Sequence, residues 1–491
     1  MIGKTKVAVL LLALPVCALA REEYTRTFDK TVTLQSGQKF RVEHSLGDIE
    51  IHTHQGRDVV IHADIKASAS NATEAKSFAD KIAVLVENSP GVLAVHTKYP
   101  ERTNSFFGSG NVSYTVHYSI TAPETAPVEI QNSFGAVEAT GLKAGSDIRT
   151  SHGSLTFRNG RGTQRLQDSF ANVDVSNNEG DVTLEDSNGA VNVSDVSGLL
   201  NLRNRFGAVS VSRVGRGATV TNSNGAVHLT DVSGSSLVNN SFGEVTATGL
   251  QGNLSVNNSN GKVDANNVKG SATLNTSFSS VHFSNIGGAV SVTATNSSVE
   301  GHNAGGPLNL DTSFGAVTVG EIRGTADIKG SNGAVTVANI SGQTNIHNSF
   351  GLVRAESTGP LTVHNSNAGV KASDVRGDAV VNTSFGAVLL DGVTGAIAVG
   401  NQNGAVEVTS TAKGACRPIA IHTSFSAIRL HLPSDASYRL SAKTSFGKIS
   451  SELPMNVAGS LSSDSISGTI GRGQCELRLT NNNGDISILS H

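Results

Sequence analysis

The chain has 491 residues, with 37 Lys and Arg against 40 Asp and Glu, no tryptophan and only three cysteines. A formal charge of −3 is too mild for a nucleic-acid partner or an electrostatic membrane anchor, and neither is expected. Its 53 glycines, set among abundant Ser and Asn, would signal disorder if scattered, but they recur at fixed intervals and so read as turns in a folded repeat.

At the start, Lys4 and Lys6 precede an apolar run from Val7 to Val16, and Ala18-Leu19-Ala20 supplies small residues for cleavage. That is a secretory signal peptide, residues 1–20, cleaved after Ala20, and it implies a periplasmic, cell-surface or secreted protein. The run is too short to span a bilayer, and no later stretch is apolar enough to try, so no transmembrane segment is expected in the mature chain. Cys17 suggests a lipoprotein, but Leu14-Pro15-Val16 lacks the small residue expected beside a lipidated cysteine.

Residues 21–130 read as an N-terminal capping region with the first β coils. Ser45-Leu46-Gly47-Asp48-Ile49-Glu50-Ile51 carries strand alternation, and Val59 to Ile65 reads as its partner strand. Asn71 to Val84 changes period, with Phe78, Ile82 and Val84 behind Thr73-Glu74-Ala75-Lys76, which predicts one short helix capping the stack. Glu101 to Asn111 is polar and reads as a loop, and Val112 to Ile120 resumes strand alternation.

Residues 131–413 repeat one phrase. Ser-Phe-Gly or a variant places Phe134, Phe170, Phe206, Phe242, Phe278, Phe314 and Phe350 thirty-six residues apart, and Phe385 follows after thirty-five. Midway stand Asn188, Asn224, Asn260, Asn296 and Asn332, then Asn367 and Asn403, so the repeat is eighteen residues in two alternating flavours. The template runs Ser, Phe/Asn, Gly, Ala, Val, x, Val/Ala, x, x, Val/Ile, x, Gly, three variable residues, Leu/Ile/Val, x, Asn/Thr. Its fifth position is valine in every one of sixteen copies except Leu155. Apolar positions five and seven predict one strand and position sixteen marks a second, while the glycines at position twelve, such as Gly180, Gly198 and Gly234, free the backbone to turn with positive φ.

One coil offers about four buried side chains at roughly 1.5–3 kcal/mol each, against an ordering cost of about 1–2 kcal/mol per residue. A single coil cannot stand alone. Stacked coils bury a continuous column at about 4.8 Å per step, so the fold class is all-β, a β-solenoid of about 75 Å for sixteen coils. A helix of hexapeptides is rejected because the apolar positions do not recur every six.

Residues 414–491 hold irregular coils that close the solenoid, with the phrase at Ser424-Phe425-Ser426, Ser445-Phe446-Gly447 and Asn482-Asn483-Gly484. Export favours oxidation of Cys416 and Cys475. Stacking in sequence order separates them by about 14 Å, beyond a disulfide, unless the insertion Lys413 to Pro418 reaches across. Both outcomes stay open.

With these elements in place, the chain resembles the putative-adhesin family of exported bacterial β-solenoid domains. Gly47-Asp48-Ile49-Glu50-Ile51, Tyr118-Ser119-Ile120-Thr121-Ala122-Pro123, Leu430-His431-Leu432-Pro433, Thr444 to Ile449 and Asn483-Gly484-Asp485-Ile486 fall in the family's order. The resemblance covers nearly the whole mature chain and implies a β-solenoid at the cell surface or in the periplasm with an adhesive role. The long, regular middle is this chain's own departure.

No catalytic constellation emerges. Serine at position one of nearly every coil is a turn device, whereas a nucleophile is a single serine beside a single base. Ser445-Phe446-Gly447-Lys448 matches an S-x-x-K spacing only because it falls inside the repeat phrase. His52, His54 and His62 bring three imidazoles near one surface without a carboxylate or thiolate spaced to complete a metal site. Asp174, Asp181, Glu185, Asp195 and Asp231 take variable positions and form neither a facing pair nor a calcium roll. No cofactor, metal or catalytic residue is expected. The phenylalanines either point outward, as a ligand-facing ladder with rings about 10 Å apart, or pack at a corner against the core, and packing is the expectation.

The expected function is a non-catalytic surface or envelope protein that binds an extended or multivalent ligand, such as a glycan or cell-surface component, by avidity. The alternatives are a polysaccharide-acting enzyme and a self-assembling envelope scaffold.

Overall fold

The computed structural model describes residues 21–100, 112–412, 416–458 and 462–491, so the expected leader and the expected loop from Glu101 to Asn111 lie outside the described residues. The chain divides into two compact units, one reaching to Phe157 and one from Arg158 to His491.

The second unit is a β-solenoid in which each regular coil gives one strand to each of two parallel sheets. The coil opening at Ser187 contributes Val191–Val196 and Leu199–Arg203. Val191 pairs with Val209 and Val193 with Val211 of the next coil, while Leu200 pairs with Ala218 and Leu202 with Val220. Like therefore stacks on like, one repeat apart. Val191, Val193, Val196, Leu200 and Leu202 are all buried, so position fourteen joins the core although the template leaves it variable. Six inward places, not four, fill each coil, because position eighteen also points inward.

Position eighteen is polar, and its role is to satisfy the bend that follows. Asn240 Nδ2 donates to the carbonyls of Gly225 at 3.2 Å and Gly243 at 3.2 Å, and Asn258 repeats the pattern on Gly243 and Gly261 one coil on. Thr383 and Thr444 do the same with a hydroxyl. Buried carbonyls at a turn need such partners, and an internal ladder of amides and hydroxyls supplies them in most coils, interrupted at Ala294 and Gly330.

The template's glycine is left-handed in only some coils. Gly162, Gly180 and Gly377 have the expected positive φ, but Gly198, Gly234, Gly252 and Gly270 do not, and position nine is left-handed more consistently, at Asn177, Asp195, Asp231, Asn267 and Asn285, among others. Asn and Asp tolerate that conformation better than other side chains do. At position twelve glycine answers to close approach instead: a Cβ on Gly234 would lie 1.7 Å from the Arg216 carbonyl oxygen of the coil below.

In the first unit, strand Lys39–Leu46 lies in parallel between Val92–Lys98 and Val128–Phe134. Ile49–His54 lies between Ser113–Pro123 and Val137–Thr140. Strand Asp58–Ala69 pairs antiparallel with Glu22–Thr33 and with Ser113–Pro123, so the last of these separates it from Ile49–His54. The expected partnership of Val59 to Ile65 with the Ile49 strand is thereby corrected. The helix is Ala72–Ala79, capped by the Asn71 side chain on Glu74 N at 2.9 Å, and it buries Ala75 and Ala79 against Glu22–Thr33 and Asp58–Ala69. It stops short of Val84, which belongs to strand Ala83–Ser89, and Arg26 Nε closes its end on the Ala79 carbonyl.

At the far end the stacking order departs from the chain order. Strand Cys475–Asn483 inserts in parallel between Ile419–Phe425 and Tyr438–Phe446, with Leu477 on Ile419 and Cys475 on Tyr438. Ile486–Ser490 likewise lies between Ile428–Leu432 and Ile449–Ser451. Cys475 is then one strand step from Cys416 rather than three, and the two form a disulfide with Cα atoms 5.2 Å apart. The separation of about 14 Å inferred from chain order fails for that reason.

Candidate functional site

The phenylalanines do not pack into a corner. From Phe134 to Phe385 the eight rings are 49–59% exposed, Phe425 is 53% exposed and Phe446 is 76% exposed. The cause lies one residue pair earlier. Asn240 fills the inside of the bend and donates to the Phe242 and Gly243 carbonyls, so the ring between them has only the outside to occupy.

Asparagine at the same position in alternate coils folds back instead. Asn188 Nδ2 donates to the Ser169 carbonyl of the preceding coil at 2.9 Å, and Asn224, Asn260 and Asn332 make the equivalent contact. Each such amide lies along the backbone, leaving a slot between rings about 10 Å apart. Register holds the alternation in line: Phe206, Asn224 and Phe242 pair in sequence, as do Asn332 and Phe350.

Inserting the last strand preserves this pattern in space where the sequence breaks it. Phe425 and Phe446 follow one another in the chain without an intervening asparagine phrase, yet Phe425 pairs with Asn483 and Asn483 with Phe446. Ring, slot and ring thus continue to the end. Around the ladder, positions one to four are mostly Ser, Gly and Ala, with charge in the second unit confined to Arg205, Glu244, Lys262, Lys448 and Asp485. Lys262 and Glu244 lie 3.9 Å apart, partly cancelling.

Beside the ladder runs an outward column from position seventeen. Asn239, Asn257 and Asn275 form an amide ladder with bonds of 2.9 and 2.8 Å. Farther along, the His347 and His364 rings stack at 4.9 Å, and Gly400 leaves a notch before His422. These residues and Phe425 line an open groove of about 740 Å³, rich in amide, hydroxyl and imidazole groups.

The remaining candidates disperse. His52 meets Glu50 at 2.8 Å, His54 Nε2 meets the Asp58 carbonyl at 2.7 Å and His62 meets Asp29 at 2.7 Å, with the strand Ser113–Pro123 between the first two and the third. Asp195 pairs with Arg213 at 2.6 Å, and Asp181 accepts from Leu199 N at 2.8 Å. These are coil-to-coil ties at the surface.

Two buried carboxylates escape the sequence reading. Asp168 and Asp186 take the inward eighteenth position on neighbouring coils, accepting from Ala171 N at 2.8 Å and Gly189 N at 2.9 Å. Burial pushes Asp168 up from 3.8 to about 6, helped by the nearby Asp186 charge, and Asp186 is raised by burial too. The native state therefore holds a proton between about pH 4 and 6 that the unfolded chain has lost, so stability falls as pH rises through that window. Asp168→Asn, which restores the residue used elsewhere in the ladder, is expected to flatten that fall and raise stability at pH 7 by about 1 kcal/mol, the shift being discounted for solvent screening of a half-buried carboxyl. Thermal unfolding across pH 4–8 checks it; an unchanged slope would remove Asp168 as its source.

No family model matches the chain, and no curated protein matches it. Among solved structures, a Clostridium sporogenes protein described as "a putative cell adhesion protein" is similar at 15% identity and TM-score 0.18, over 45% of this chain and 100% of that one. A "putative adhesin" from Bacteroides fragilis is similar at 11% identity and TM-score 0.16, over 64% and 97%. Likenesses this weak carry no function across.

Proposed function

We propose that the protein is a non-catalytic, exported binding surface that holds an extended or multivalent partner by repetition. The observation that supports this reading is the outward ladder of half-exposed rings at a fixed spacing, flanked by hydroxyl and amide columns. Each ring offers a shallow contact of small value. Many in register multiply into avidity without a deep pocket. The disulfide fits an oxidising compartment outside the cytosol, in keeping with the leader read in residues 1–20. An envelope or cell-surface component that itself repeats is the partner class, and the mild charge argues against nucleic acid.

The test is binding of labelled residues 21–491 to a glycan panel and to envelope fractions from the source. Phe206→Ser alone is expected to weaken binding by about threefold, and the triple change with Phe242→Ser and Phe278→Ser by about a hundredfold. Binding that ignores all three rings would sink the reading.

A further inference from the structure

Resting on the reading that the ladder is a binding surface, we infer that its partner is a second copy of this chain, docked ring into slot along the run from Phe170 to Phe446. The slots carry the inference. Rings in each copy stand two strand steps apart, so a copy offset by one step places each of its rings about 4.8 Å from two rings of the other. That separation falls within the range of about 4.5–7 Å in which aromatic pairs attract.

The chain itself contains a ring stacked on a ladder phenylalanine at a single strand step. His152 holds the position that asparagine takes in the alternate coils, and its ring stacks on Phe134 with centroids 4.6 Å apart and planes 22° off parallel. A planar ring therefore fits between coils at this corner. In the second unit the amides of Asn188, Asn224, Asn260, Asn332, Asn403 and Asn483 fold back on the coil stacked against them, which leaves those slots open to a ring from outside.

Symmetry and composition favour a copy over other occupants. Phe–Asn alternation reads the same in both directions, so it is self-complementary about a two-fold axis, as an isologous dimer requires. The in-register alternation continues to Phe446 because Asn483 stands between it and Phe425. A glycan lacks matching rings, and this chain, with no tryptophan, is poorly supplied to stack sugars. The strip around the ladder is also depleted of charge, as the centre of a protein interface is.

Area closes the argument. Nine rings from Phe170 to Phe446 are half or more exposed. At about 100 Å² for each exposed half, covering them removes roughly 900 Å² per chain, or on the order of 1,800 Å² in total. Stable specific interfaces bury about 1,200–2,000 Å².

Sedimentation velocity of residues 21–491 between about 1 and 100 μM tests the inference, with two full-length variants. Combining Phe242→Ser, Phe314→Ser and Phe385→Ser removes three rings and is expected to weaken dimerisation by about a hundredfold or more. Combining Asn296→Phe and Asn332→Phe adds apolar surface but fills two slots, and it is expected to weaken the dimer by about tenfold. Far-UV circular dichroism confirms that both variants fold. A wild-type chain monomeric throughout, or a dimer strengthened by filling the slots, overturns interdigitation. The same samples are tested on envelope fractions. Ring-dependent binding by a monomeric chain leaves the proposed function standing without this inference, whereas a ring-dependent dimer that binds no fraction supports the inference and removes the external ligand.

Discussion

Gly225→Ala is expected to cost about 3–5 kcal/mol, although it adds a single methyl group at the surface. A Cβ there would lie 2.0 Å from the Gly207 carbonyl oxygen and 2.5 Å from its carbon, and the backbone sits at φ +147°. Neither neighbour can yield. Gly225 N donates to the Phe242 carbonyl at 2.9 Å, and Gly207 N donates to the Asn224 carbonyl at 2.9 Å, so moving one coil breaks the ladder to the next. Gly400→Ala is the control, because its nearest obstruction is the movable Asn382 amide tip at 2.8 Å. That change is expected to be neutral or to stabilise by about 0.5 kcal/mol, by reducing the freedom of the unfolded chain. Because contacts in a solenoid reach only neighbouring coils, the loss should be local. Hydrogen exchange should rise in residues 205–245 and stay unchanged beyond about two coils away. A small or evenly spread effect would mean that the coils separate more freely than their backbone bonds imply.

The same contact geometry decides what could be read from the sequence. Period and strand positions were legible because Val191, Val209 and Val227 stack on one another, and stacking demands the same residue type at each step. Position nine was obscured because one backbone conformation is met by Asn177, Asp195, Arg213 and Glu321 alike, so the chemistry varies while φ stays near +55°. Counting Asn, Asp and Gly by position would have exposed it. The asparagines at position eighteen were visible, but their inward role depends on carbonyls that only the folded bend brings together. The direction of the rings followed from that role, so it was misjudged. Spatial order at the C-terminus was beyond reach, because parallel strands carry no mark of which neighbour they take.

Breaking the Cys416–Cys475 bridge tests that spatial order most directly. Changing Cys416 to Ser is expected to remove about 4 kcal/mol of local stability, as loop closure over a sequence separation of 59 implies. The effect should be concentrated in residues 419–446 and 475–490. Without the bridge, Tyr438–Phe446 can compete for direct stacking on Ile419–Phe425, the arrangement that chain order alone favours. That alternative leaves Cys475–Asn483 at the edge and sets Phe425 beside Phe446, with no Asn483 slot between them. The cross-link disfavours it because Cys475 must stay one step from Cys416. Hydrogen exchange should therefore show Leu477 and Leu479 losing the protection expected of a central strand, with the regular coils near Val263 unaffected. Full protection of Leu477 in the serine variant would show that the inserted order is held by packing and backbone pairing alone.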